Sequence, residues 1–342
     1  MGLSLMLTPH GKLLLEERED APALGEEVEK RVREAFGRGT GAGLLQLGGG
    51  EVGTILSPVL AYFRDLAQQY VTAVCSLPDA EEQRDKVTVP APGGGMLEEL
   101  AAAAPLMAGA EYVTEESLGG LWQVLGETFR NELAASGESV QEFLKRLNPA
   151  WNLVGRVHFN LAENRKDEEA PFAFLATYTD RLSAQARAQH LPLGQALRQY
   201  AGSADREKLL NLLLPVQRAA ESCSWLKSMV ETGEIFHPLR WRPRDAFRFL
   251  ADVPVLEGAG VVVRVPAGWS ARRPSKVQVK ATVGGRQPSV LGGNALLDFE
   301  LSVSVGDETL TAAEIEQLLS SMAGLSMIRG RWVEVDPDRL RG

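Results

Sequence analysis

The spacing of apolar residues changes character partway along this chain, and that change limits the folds open to it. Up to about Gly233 the apolar positions mostly recur every three or four residues, the repeat that lines one face of a helix. After Gly233 come β-branched runs, two of which alternate apolar and polar residues, the repeat of a strand. Leu3–Leu7 and Leu13–Leu15, on either side of Pro9-His10-Gly11, predict a small hairpin. Glu26 to Phe36 predicts a short helix ended by Gly37. Pro58 opens a strong helical pattern to about Cys75, with Val59, Phe63, Leu66, Tyr70 and Val74 in one stripe. Met96–Ala104, Glu115–Ala135, Ser139–Leu147, Ala173–Gln189 and Asp205–Val230 read as further helices, the last bent at Pro215.

Beyond Gly233, Ile235–Trp241 reads as extended and Pro243–Leu256 as one helix ended by Gly258-Ala259-Gly260. Strands are expected at Val261–Val265, Lys276–Val283, Leu296–Val305 and Met327–Val335. Thr311, with Glu314 three residues on, is the capping box of a helix over Ala312–Ser320. The expected fold class is α+β: a mainly α-helical N-terminal body, then a smaller C-terminal α/β domain with mostly antiparallel strands. The expected divisions are residues 1–77 (hairpin and helices), 78–95 (a Pro/Gly-rich linker or loop), 96–234 (helical body) and 235–342 (the α+β domain).

Charge is divided as unevenly as periodicity. The 342 residues carry a net charge of −9, which argues against a polyanion partner. Yet residues 237–286 hold ten Lys/Arg against three acids, a local +7, whereas residues 1–236 sum to −11. Such asymmetry fits a local surface facing a polyanion, or a solvated sheet face. Cys75 and Cys223, about 150 residues apart, form neither a zinc motif nor a disulfide framework, and a reducing cytoplasm is expected. The N-terminus lacks the features of a signal peptide, and no run reaches eighteen apolar residues.

Most chemistry-bearing motifs are missing. No G-x-x-x-x-G-K-[ST] occurs, so the loop that cradles β- and γ-phosphates is absent from this sequence. No G-x-S-x-G elbow and no His, Cys or carboxylate pair at metal-ligand spacing is present. No catalytic residue, metal ligand or cofactor-binding residue is therefore assigned within the chain. Gly48-Gly49-Gly50-Glu51-Val52-Gly53 matches G-x-G-x-x-G, but a helix stands where the second strand of a dinucleotide fold would end in an acid, so a flexible turn is expected. His158 and His190 fall in segments read as helical or helix-flanking and are expected to be structural. His237 is expected to pack, with phosphate contact as the other reading.

The binding candidates lie in the last hundred residues. Arg240, Trp241, Arg242 and Arg244 set an indole among cations. Trp269, Arg272, Arg273, Lys276, Lys280 and Arg286 follow, and Arg329, Arg331 and Trp332 lie on the expected last strand. Arginines neutralise phosphates and an exposed indole stacks on a splayed base. The alternatives are that Trp241 and Trp332 are core residues merely flanked by cations, or that the patch docks a partner domain.

Three stretches carry a family resemblance. Residues 148–201 and 213–225 (LLPVQRAAESCSW) resemble the region upstream of the motor in bacterial Swi/Snf-family ATPases. Residues 235–336, with IFHPLRWRPRDAFRFLADVPVLEGAGVVVRVPAGW, LLDFELSV and IRGRWVEVD, resemble their helicase-associated domain. The resemblance implies a fragment or split subunit of an ATP-dependent DNA translocase, with duplex DNA and a motor domain as partners. It implies that ATP and magnesium are bound in that motor, and it transfers no catalytic residue to any position here. A scaffold that docks a motor without touching DNA is the alternative.

Overall fold

A computed structural model describes residues 2–77, 86–93, 95–201, 206–267, 269, 274–283, 299–305, 308–320 and 324–335. The chain forms two compact units. One comprises Met1–Arg156, Tyr178–Leu191 and Gln195–Leu214; the other comprises Val157–Thr177, Pro192–Gly194 and Pro215–Gly342.

The first unit opens on an antiparallel hairpin, β1 (Gly2–Leu7) and β2 (Leu13–Arg18), with Leu5 opposite Leu15 and Leu7 opposite Leu13. α1 (Glu26–Arg38), α2 (Thr40–Leu45) and a π-helical turn (Gln46–Gly50) lead to α3 (Pro58–Cys75). Pro58 at the first helical position needs no hydrogen-bond donor there and has its φ preset. α4 (Met96–Ala102), α5 (Glu115–Ser136) and α6 (Val140–Leu147) follow. α5 is started by the reciprocal Thr114–Ser117 capping box and stopped by Gly137 at φ 72°. α6 is capped in the same way by Ser139 and Glu142. The core lies between α3 and α5, where Tyr70 meets Trp122 and Phe129 edge-on and Phe129 meets Phe143.

β3 (Val157–Glu163) and β4 (Phe172–Leu182) come next, and the division between units falls inside β4. The end of β4 turns back through Ala186 into β5 (Ala188–Pro192), with the Ser183 N–H donating to the Arg187 carbonyl at 2.8 Å. α7 (Leu193–Ala201), α8 (Arg206–Ser222) and α9 (Ser224–Thr232) follow.

Within the second unit, β6 (Leu239–Trp241) pairs antiparallel with β4, and β3 pairs parallel with β7 (Val262–Arg264). α10 (Pro243–Ala251) and α11 (Val253–Gly258) lie between β6 and β7. A five-stranded sheet closes the unit, in the order β10 (Glu308–Thr309), β9 (Phe299–Val305), β8 (Ser275–Val283), β12 (Arg331–Val335), β11 (Gly324–Ile328). Only the β12–β8 pairing in it is parallel. α12 (Ala312–Ser320) starts at the expected Thr311–Glu314 box. Leu310, Leu318, Ile328, Val333 and Val335 form a small core there.

Several expectations fail on particular residues. Ala173–Gln189 is not a helix: its first half is β4, because Phe172, Phe174, Ala176 and Tyr178 are buried at a period of two. With β3 and β5, this puts three strands inside the stretch read as all-helical. The helix expected over Asp205–Val230 is two helices, parted at Cys223 (φ −114°, ψ 100°); Pro215 sits inside α8. Pro243–Leu256 is likewise parted at Asp252, and Met327–Val335 is not one strand but the end of β11, a turn at Arg329 (φ 47°) and Gly330, and β12.

The glycine run is not a flexible turn. Gly48 and Gly49 are buried in the π-helical turn, and a Cβ on Gly48 would lie 2.5 Å from the Ala67 carbonyl carbon of α3. Bare backbone is what lets the turn reach α3. Glu51, next in sequence, is 1% exposed and accepts from Arg31 Nε (2.7 Å), Arg31 Nη2 (3.1 Å), Gln46 Nε2 (3.0 Å) and Thr54 Oγ1 (3.0 Å). A buried carboxylate so fully hydrogen-bonded is a structural keystone of this unit.

Candidate nucleic-acid interface

The site is built from the turn between β3 and β4, strand β6 and the start of α10, all in the second unit. β6 lies beside β4 with Trp241 opposite Phe172 and Arg240 opposite Ala173. Alternation along a strand sends neighbours to opposite faces, so Trp241 turns inward and Arg240 outward. The Trp241 indole, 5% exposed, stacks on Phe174 with ring centroids 4.2 Å apart and planes at 13°. Phe249 (5.6 Å) and Trp225 (6.0 Å) close around it, and Trp225 Nε1 donates to Asp252 Oδ2 at 2.7 Å. Phe172 in turn meets Trp332 at 4.7 Å and Trp269 at 6.0 Å. These aromatic side chains make a fixed platform beneath the arginines.

Arg240 donates through Nε to Asp167 Oδ2 at 2.7 Å, and Arg242 donates to Glu169; both guanidinium groups remain largely exposed. The Arg242 backbone N–H donates to Asp245 Oδ2 (3.2 Å), and Pro243 begins the helix. Arg244 points to solvent and forms no ion pair among the described residues. Arg248 pairs with Asp245 at 3.5 Å and lies over the Trp225 ring at 5.3 Å. The Asp167 carboxyl is held below the usual carboxylate range, chiefly by the Ala170 backbone N–H and then by Arg240. Glu169, Ala170, Arg240, Arg242 and Asp245 line an open cleft of about 340 Å³.

The cations expected to act as one patch are therefore differently employed. Trp241 and Trp332 are buried, Trp241 stacked on Phe174 and Trp332 tilted against Phe172, so neither is an exposed base-stacking group. Arg329, at the β11–β12 turn, is bound to Glu314 and Glu308 and pushes the Glu314 carboxyl down to about 2. Arg331 is exposed on β12. Lys276 and Lys280 share a parity on β8, and Lys276 lies in register with Glu334 of β12. Arg272, Arg273 and Arg286 lie outside the described residues. The histidines expected near helices are on strands instead: His158 is buried on β3 and His190 exposed on β5, with its Nδ1 at 2.7 Å from Thr179 Oγ1. His237 is exposed rather than packed.

What the sequence reading missed are the partners, Asp167 and Glu169, 73 residues before the arginines they meet. The signal was present in the alternation of Val157, Phe159 and Leu161 and of Phe172, Phe174 and Ala176 about an acidic turn. Among the described residues no group of three or more His, Cys, Asp or Glu is placed to hold a metal, and no helix is long and apolar enough to cross a membrane.

Residues 234–342, which contain β6, α10 and the closing sheet, match the family model described as SNF2 Helicase protein. That match covers the C-terminal third of the chain. A stretch of 100 residues, 28% of the chain, is 36% identical to the putative ATP-dependent helicase/translocase YwqA of Bacillus subtilis (strain 168). The chain spans 11% of the length of that curated relative. No solved structure matches it. The matched region thus contains Arg240 to Arg248 with Trp241 and Phe249, while Asp167, Glu169, Phe172, Phe174 and Trp225 come from sequence ahead of it.

Proposed function

We propose that the chain is a non-catalytic accessory module of an ATP-dependent DNA translocase or helicase, acting by gripping duplex DNA or controlling the motor. The observation that carries this reading is the SNF2-type region itself, which presents outward arginines on a buried aromatic floor. ATP and magnesium belong, on this reading, to a motor in cis or in trans, since these 342 residues contain no phosphate loop. The setting is the cytoplasm. A basic patch beside a motor raises the local concentration of DNA by tethering and steering.

Duplex binding by the chain is expected to weaken steeply with salt. The Arg272→Glu, Arg273→Glu, Lys276→Glu triple variant should bind at least about tenfold less tightly, with a log–log salt slope shallower by about 0.9 for each phosphate no longer neutralised. Fluorescence anisotropy with a labelled duplex across a salt series reads both quantities. Equal affinity and slope in the parent and the variant would remove these three cations from the grip.

One observation favours the scaffold reading. No Lys or Arg occurs between Lys86 and Arg130, a span with six glutamates in which Met96, Leu106, Tyr112 and Val124 are exposed. Acidic surface interrupted by apolar side chains suits a basic protein partner. In that case a separately expressed motor is retained by the immobilised chain while labelled DNA is not shifted at low salt. The reverse pattern excludes the scaffold.

A further inference from the structure

We infer that the turn between β3 and β4 is a built-in phosphate mimic that occupies Arg240 and Arg242 until DNA displaces it. The inference rests on the DNA-grip reading above and adds to it a second anion site and its regulation. The platform arginines face two carboxylates at matched spacing: Asp167 meets Arg240 and Glu169 meets Arg242. Two residues apart, the carboxylates present negative charges in series, as neighbouring phosphates of one strand do.

The turn does not need the arginines for its shape. The Asn164 N–H donates to the Pro171 carbonyl (2.8 Å), the Asp167 N–H to the Asn164 carbonyl (3.1 Å), and the Ala170 N–H to Asp167 Oδ1 (3.0 Å). Asp167 is thus pinned by backbone while its other oxygen points at Arg240. The arginines are equally well placed without the acids, because Trp241 between them is locked into the aromatic floor. Pairing of β4 with β6 holds the two backbones together, while the Arg242–Glu169 pair, exposed on both sides, is held weakly; in the Arg240–Asp167 pair the guanidinium is 70% exposed and the carboxylate 17%. Both arginines line the open cleft, so a phosphodiester can reach them without any change in the fold. Guanidinium groups bind phosphate and carboxylate through the same two-pronged geometry, which makes the exchange one of like for like.

The shield also accounts for a mismatch of charge. The sequence counts +7 over residues 237–286, but Asp167 and Glu169, from outside that span, pair with Arg240 and Arg242. Arg240 and Arg242 paired in this way are quiet toward polyanions until a phosphodiester takes the place of the carboxylates.

Adjacent glutamates provide the test. Glu169→Gln removes one charge and frees Arg242. Glu168→Gln removes one charge from the same turn, at a residue with no arginine partner among the described residues. Duplex affinity of the full chain is measured by anisotropy over a salt series, with thermal unfolding as the check on folding. Glu169→Gln is expected to bind several-fold tighter than Glu168→Gln, with a salt slope steeper by about 0.9, as for one more neutralised phosphate. Adding Arg242→Gln should abolish the gain. A parent that fails to bind and a Glu169→Gln variant that does bind would support the shield most directly. If the parent binds DNA and both glutamine variants match each other, the shield is wrong while DNA grip stands. If neither the parent nor any variant binds, both fall.

Discussion

Replacing Trp241 by alanine is expected to destabilise the second unit by about 3–5 kcal/mol, the range for deleting a large buried aromatic side chain. The indole is 5% exposed and fills the space bounded by Phe174, Phe249 and Trp225, so its removal leaves a cavity that fixed ring neighbours cannot close. Against a domain stability of about 5–15 kcal/mol, that loss leaves a unit close to its unfolding threshold. Trp241→Phe keeps one ring stacked on Phe174 and should cost about half as much or less. Urea unfolding of both variants decides the matter. An alanine variant within about 1 kcal/mol of the parent, but weakened in binding single-stranded DNA, would put the indole back at the surface as a base-stacking group. The consequence for function is indirect but firm: Arg240 and Arg242 flank this residue, so their aim depends on its packing.

The parts of the fold that could be read from sequence were those in which local signals agree. α3, α5 and α6 each combine a start signal, a period and a stop and are found within a residue of their expected place, and the β1–β2 hairpin is found with its second strand three residues longer than expected. β4 was misread because its eleven residues contain Ala173, Ala176 and Leu182 alongside Phe174 and Tyr178. That composition tolerates a helical reading unless the alternation of Phe172, Phe174, Ala176 and Tyr178 is weighed first. The break at Cys223 carries no Gly or Pro, whereas Pro215, the obvious breaker, is accommodated inside α8. The arginines of the site were legible as residue types. Their ion pairs were not, because Asp167 and Glu169 approach from 73 residues away through the pairing of β4 with β6, and strand pairing across such a separation leaves no local trace. The core position of Trp241 was open for the same reason: one aromatic residue among cations reads alike on a surface and over a buried floor.

Gly48→Ala separates packing from flexibility at the glycine run, and the two readings predict opposite signs. In a flexible or merely helical segment, alanine is favoured over glycine by about 0.5–1 kcal/mol through the smaller entropy lost on folding. Gly120, in the second turn of α5, is such a place: a Cβ there meets nothing within 4 Å, and Gly120→Ala should stabilise the first unit by that amount. At Gly48 the added carbon would lie 2.5 Å from both the carbonyl carbon and the Cβ of Ala67, and 2.7 Å from the Gln68 nitrogen. Those atoms belong to the backbone of α3 and its nearest side-chain atom, so no rotamer change relieves the clash. α3 must shift as a body against the Tyr70, Trp122 and Phe129 cluster, which is overpacking and costs about 1–3 kcal/mol or more. Packing therefore outweighs propensity, and Gly48→Ala should lower the thermal midpoint while Gly120→Ala raises it, as differential scanning calorimetry of the two variants would record. If both substitutions raise the midpoint, the close approach of the π-helical turn to α3 is wrong, and with it the reason this run is glycine.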